Sequence, residues 1–142
     1  MAVLKPEELL SLAEEAVSSA VKNGADEAEA YTYQGLTTTV DIERGQIAGS
    51  SRIVDCGVGV RAIVNKAVGF SYTNVLQDKA ALEETILRAI SSARASRPDE
   101  NWPGFPFKKP LGSPEDTYDS KIVELHAEDL VRVASVMLSA AE

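Results

Sequence analysis

Residues 57–72 read Gly57-Val58-Gly59-Val60-Arg61-Ala62-Ile63-Val64-Asn65-Lys66-Ala67-Val68-Gly69-Phe70-Ser71-Tyr72, and their alternation decides the fold. Val58, Val60, Ala62 and Val64 share one face at period two. Val68, Phe70 and Tyr72 repeat the pattern after Asn65-Lys66, so the stretch predicts two strands joined by a tight turn, the best-buried hairpin of a sheet. Apolar residues off the main face, Ile63 among them, suggest that both faces of this hairpin are covered.

Upstream, Glu29, Tyr31 and Tyr33 alternate with Ala28, Ala30 and Thr32, and Val40 and Ile42 with Thr39 and Asp41. These are strands as well, and Gly35 and Arg44-Gly45 between the apolar runs are expected to be hairpin turns. Ahead of them, Leu9, Leu10, Ala13, Ala16, Val17, Ala20 and Val21 recur at helical spacing from Pro6 to Asn23. Pro6, Glu7 and Glu8 suit the first turn of that helix, and Gly24 suits a left-handed C-terminal position.

Downstream, Asp78 is placed to cap a second helix carrying Leu82, Ile86, Leu87, Ala89, Ile90 and Ala93, which should stop near Ser96 before Pro98. Residues 98–121 then hold five prolines, Pro98, Pro103, Pro106, Pro110 and Pro114, with Trp102, Phe105 and Phe107 among them. Such a stretch predicts a long loop. A third helix is expected from about Ala127, with Leu130, Val131, Ala134, Met137, Leu138 and Ala141 on one stripe; it reaches Glu142 without the usual stop signals, which suggests truncation.

The fold class that follows is α+β, a mainly antiparallel sheet of about four to five strands with two to three packed helices. The expected organisation is an α+β domain over 1–97, a proline-rich loop over 98–121 and a terminal helix over 122–142, ahead of a further C-terminal domain. A length of 142 residues suits one domain that buries about two-thirds of its unfolded surface. Its 44% hydrophobic and 25% charged residues are those of a globular protein.

A formal charge of -8, from 14 Lys and Arg against 22 Asp and Glu, repels phosphate backbones and argues against direct nucleic-acid binding. The single cysteine, Cys56, forms no internal disulfide and fits a reduced, cytoplasmic setting. No stretch approaches the roughly 20 apolar residues a membrane-spanning helix needs.

Each chemistry-bearing residue has a plain structural reading. Zinc catalysis takes about three protein ligands, whereas the only histidine, His126, is expected at the start of the third helix with Asp129 in its first turn. Cys56 lacks a nearby base and reads as a small buried apolar residue. Gly57, Gly59 and Ala62 satisfy a dinucleotide-binding spacing, yet a strand begins where that motif needs a helix. The acid pairs Glu14-Glu15, Asp26-Glu27 and Glu83-Glu84 read as solvated surface. Pro103 to Pro106 form a P-x-x-P; the favoured reading is that the neighbouring aromatics cover the sheet or meet another domain rather than serve as a polyproline ligand. Arg61, alone among apolar neighbours, either pairs with a buried carboxylate or faces a partner.

The run from Gly57-Val58-Gly59-Val60-Arg61 to Gly69-Phe70-Ser71-Tyr72-Thr73-Asn74 resembles the hairpin of the TldD/PmbA family, also called modulators of DNA gyrase. Asn23-Gly24-Ala25-Asp26-Glu27-Ala28-Glu29 is similar to that family's helix-to-strand junction, and Ala93-Arg94-Ala95 before a proline-rich loop fits as well. Asn65-Lys66 departs from the acidic residue and glycine the family often places there.

The resemblance implies a cytoplasmic, dimeric protein whose TldD branch is a zinc peptidase with an H-E-x-x-x-H helix and a distant cysteine, all C-terminal to the region represented here. No catalytic, cofactor-binding or metal residue is therefore carried onto this chain. The expected role is that of a non-catalytic N-terminal domain, working in dimerisation or in a channel for peptide substrates, with its own C-terminal domain and a homo- or hetero-dimer subunit as partners and no membrane or nucleic-acid contact. The alternative is a stand-alone protein-interaction module without a peptidase connection.

Overall fold

The computed structural model describes residues 4–106, 112 and 115–141. Phe107, Pro110, Pro114 and Glu142 lie outside the described residues. The elements run α1 (Pro6–Lys22), β1 (Glu27–Glu43), β2 (Gln46–Val64), β3 (Ala67–Thr73), α2 (Lys79–Ala95), α3 (Ser120–Val123) and α4 (Ala127–Ala141). The chain divides into two compact units, Met1–Gly35 with Asp55–Phe107 and Leu36–Val54 with Lys108–Glu142.

The α+β class holds, with, among the described residues, a sheet of three strands in the order β1-β2-β3 instead of four or five. Gly35 accounts for the difference. A two-residue hairpin turn that matches strand twist needs positive φ at both central residues. Arg44 and Gly45 have φ of 52° and 75°, and Asn65 and Lys66 of 49° and 63°, so both of these expected turns form. Gly35 has no such partner beside it, and β1 runs through it unbroken. The four-residue α3, capped by the Asp119 side chain accepting from the Lys121 N–H at 2.9 Å, is the helix the sequence reading did not anticipate.

In the first unit β2 and β3 pair antiparallel, with Gly59 opposite Tyr72, Arg61 opposite Phe70 and Ile63 opposite Val68. Even-numbered residues of β2, from Val58 to Val64, turn towards α1 and α2 and form the core with Ala16, Ala20, Leu82, Ile86, Ala89, Ile90 and Ala93. Helix α2 packs on β3, and α1 packs on α2. Gly69 makes the first contact intimate, because a Cβ there would overlap the Ala89 carbonyl oxygen and the Ala93 backbone nitrogen. Helix α1 ends where Gly24, at φ 98°, lets its own N–H and that of Ala25 donate back to the Val21 and Ala20 carbonyls at 3.1 and 3.0 Å.

Lys66 occupies the left-handed region at some cost, since an L side chain there crowds the following carbonyl by about 1–2 kcal/mol. Its ammonium meets Glu100 at 3.2 Å, but both side chains are largely exposed, and pairs of that kind contribute little. Lys66→Gly is therefore expected to raise stability by about 0.5–1 kcal/mol after glycine's extra backbone entropy is deducted. A lower midpoint in chemical denaturation would contradict this account of the turn.

Candidate functional site

The face of the first unit's sheet turned away from the helices carries the odd-numbered residues of β1 and β2 and the even-numbered residues of β3. Ala28 and Ala30 pack against the core, so Glu27, Glu29, Tyr31 and Tyr33 lie on this opposite face. Gly57, Gly59 and Arg61 come from β2, and Phe70 and Tyr72 from β3. Alternation sets the face each residue takes, and the strand pairing brings those side chains together.

One end of the face is covered. Trp102 and Phe105 meet edge to face with ring centroids 5.2 Å apart. The Arg61 guanidinium lies 5.5 Å from the Phe105 ring centre and pairs with Glu29. Glu27 anchors the loop: one carboxylate oxygen accepts the Trp102 indole N–H at 3.0 Å, the other the Phe105 backbone N–H at 2.8 Å. Asp99 ties the loop to the β2–β3 turn by donating its N–H to the Lys66 carbonyl at 3.0 Å. Ile63, only 1% exposed, lines the same recess as Trp102, which explains an apolar residue on the outward side of β2.

Trp102 and Phe105 thus cover the sheet, one of the two roles expected of them. Arg61 pairs with a carboxylate, though with the half-exposed Glu29 rather than a buried one, and has the Phe105 ring of the same chain on its other side. Glu27, half-buried, is a correction to the reading of the acid pairs as solvated surface, whereas Asp26 is exposed as expected. Glu27 holds the loop, and Asp26 accepts the Asn65 N–H at 2.6 Å, which fastens the hairpin turn to the start of β1.

The other end of the face is open. Tyr31, Phe70 and Tyr72 are 71%, 60% and 73% exposed and line, with Tyr33, Asp55, Gly57 and Gly59, a shallow trough of about 380 Å³. The glycines set its floor. A Cβ on Gly59 would stand 3.1 Å from the Phe70 ring, so the ring lies down on the bare backbone of its neighbour strand. Phe70 and Tyr72 stack with centroids 6.4 Å apart. An arrangement of rings, a carboxylate and backbone can bind and orient an extended or cationic group.

The remaining sequence candidates lie elsewhere. Cys56 is buried and its thiol donates to the Asn74 carbonyl at 3.2 Å. Gly57, Gly59 and Ala62 all fall within β2, and no helix starts there. In the second unit His126 precedes α4; its N–H donates to the Asp129 carboxylate at 3.0 Å, which is the reciprocal half of a capping box. Its Nδ1 accepts from the Arg52 guanidinium at 3.1 Å, since arginine can only donate. The Glu83-Glu84 pair contributes one surface contact, Glu84 with Arg88 at 2.6 Å.

The zinc that the family resemblance implies does not fit the residues present: among the described residues no three His, Cys, Asp or Glu side chains gather as a metal-binding group. No helix of the described residues is long and apolar enough to cross a membrane.

Comparison with known proteins accords with the fold. Residues 28–93 match the family model for PmbA/TldA metallopeptidase domain 1. TldE from Thermococcus kodakarensis superposes with a TM-score of 0.75 at 22% identity, over 87% of this chain and 27% of that one. A protein from Bacteroides thetaiotaomicron assigned as a modulator of DNA gyrase superposes with a TM-score of 0.79 at 24% identity, over 94% of this chain and 30% of that one. This chain therefore spans less than a third of the length of either solved structure. No curated protein matches the sequence. Over residues 28–93, which hold the hairpin motif, the chain is similar to the first domain of the PmbA/TldA metallopeptidase family, and its fold is shared with both solved structures.

Proposed function

We propose that this chain is the non-catalytic N-terminal domain of a TldD/PmbA-type zinc metallopeptidase, or of its partner subunit, and that the full-length protein hydrolyses peptides or unfolded proteins in the cytoplasm. The observation that carries the reading is the match of residues 28–93 to the first domain of a metallopeptidase family. The domain's part is to shape a dimer or to wall a channel that admits extended substrates, using surfaces such as the open aromatic face. Zinc, when bound, would supply Lewis-acid chemistry from ligands outside this chain; the residues here exclude solvent and hold shape.

The longer protein, alone or mixed with its partner subunit, should cleave unfolded casein in a reaction abolished by a chelator and restored by zinc. Residues 1–142 alone should neither cleave casein nor retain stoichiometric zinc. Chelator-sensitive cleavage by the short chain would overturn the reading, and so would a longer protein that, with its partner, neither holds zinc nor hydrolyses peptide.

A further inference from the structure

We propose that the open trough on the first unit's sheet binds an extended peptide through a lysine or arginine side chain, with the cation seated between the exposed rings and Asp55. The covered end of the same face shows the arrangement already filled. There the Arg61 guanidinium lies against the Phe105 ring while Glu29 pairs with it, so a cation is shared between an aromatic face and a carboxylate.

The open end repeats the ring and the carboxylate without the cation. Phe70 and Tyr72 stack as a platform on β3, Tyr31 stands across the glycine floor on β1, and Asp55 lines the same trough. Among the described residues Asp55 is exposed and has no ion-pair partner. The trough is continuous with the covered end, where a segment of backbone, Pro103-Gly104-Phe105, already lies over the sheet. Charge selects the occupant. With the formal charge at -8 and Arg61 engaged by Glu29, the uncompensated group in the trough is a carboxylate, which favours a basic partner and disfavours phosphate.

The inference is independent of whether the longer protein is a peptidase. Calorimetric titration of residues 1–142 with a short capped peptide bearing one central lysine, and with its glutamate counterpart, tests it. The lysine peptide should bind at least about tenfold more tightly than the glutamate peptide. Asp55→Asn should remove most of that preference, and Tyr31→Ala combined with Tyr72→Ala should lower affinity by about tenfold. These three side chains are exposed, so circular dichroism should show the fold unchanged. Equal affinity for the two peptides, no measurable binding of the lysine peptide, or binding that survives both sets of substitutions would overturn the assignment.

Discussion

Gly69→Ala should destabilise the protein by about 3 kcal/mol, and lower its thermal midpoint by roughly 10 °C, although it adds a single methyl group. The reason is where that methyl must go. It would stand 2.1 Å from the Ala89 carbonyl oxygen, 2.2 Å from the Ala93 backbone nitrogen and 2.8 Å from the Ala93 Cα, and backbone atoms of a helix cannot rotate away as a side-chain tip can. Helix α2 would have to lift off β3, and in doing so it would uncover Ile86 and Ile90, each 1% exposed.

Gly59→Ala is the matched control. Its nearest neighbour would be the Phe70 ring at 3.1 Å, on an open face where the ring can swing outwards, so the cost should stay near 1 kcal/mol or below. Urea unfolding of the two variants side by side decides the point. Equal midpoints for both would mean that the close approach of α2 to β3 does not limit packing.

The same residue shows what the sequence made legible and what it did not. Period-two alternation is a local property of the chain, and it grouped Val58, Val60 and Ala62 on one face, which is the core. It also read Val68, Phe70 and Tyr72 as part of the best-buried hairpin, whereas Phe70 and Tyr72 are 60% and 73% exposed because the helices cover only the other face. Helix α2 was equally readable, because Asp78 caps it through its own side chain, accepting the Ala80 N–H at 2.8 Å. Gly35 misled, since a glycine permits a turn without requiring one; only paired left-handed residues, as at Arg44-Gly45 and Asn65-Lys66, enforce it.

Contacts across long separations left no trace in spacing. Glu27 meets Trp102 and Phe105 at separations of 75 and 78 residues, and in the sequence it looked like one more acid on a polar junction. The trough was half visible in the same sense. Its rings were readable as strand residues, whereas their meeting with one another and with Asp55 follows from strand pairing and not from neighbours in the chain.

Glu27→Ala should release the loop, cost about 2 kcal/mol, and shift the fluorescence of the protein's only tryptophan to longer wavelength as its indole becomes solvated. Both carboxylate oxygens are occupied, at 3.0 Å by the indole N–H and at 2.8 Å by the Phe105 N–H, and hydrogen bonds to an ionised acceptor are about twice as strong as neutral ones. Gly104, at φ 92°, bends the chain so that both donors point at one carboxylate. A Cβ on Gly104 would stand 3.4 Å from that carboxylate. Glu27→Gln separates charge from shape. The amide keeps one acceptor oxygen and turns the other position into a donor, which cannot receive one of the two N–H groups, so its loss should fall between wild type and alanine. The emission maximum of Trp102 and the denaturation midpoint should move in the same order, wild type, then Gln, then Ala. An alanine variant with unshifted emission would show that the aromatic pair holds to the sheet by its own apolar contacts, and the carboxylate would then have to be read as a bystander.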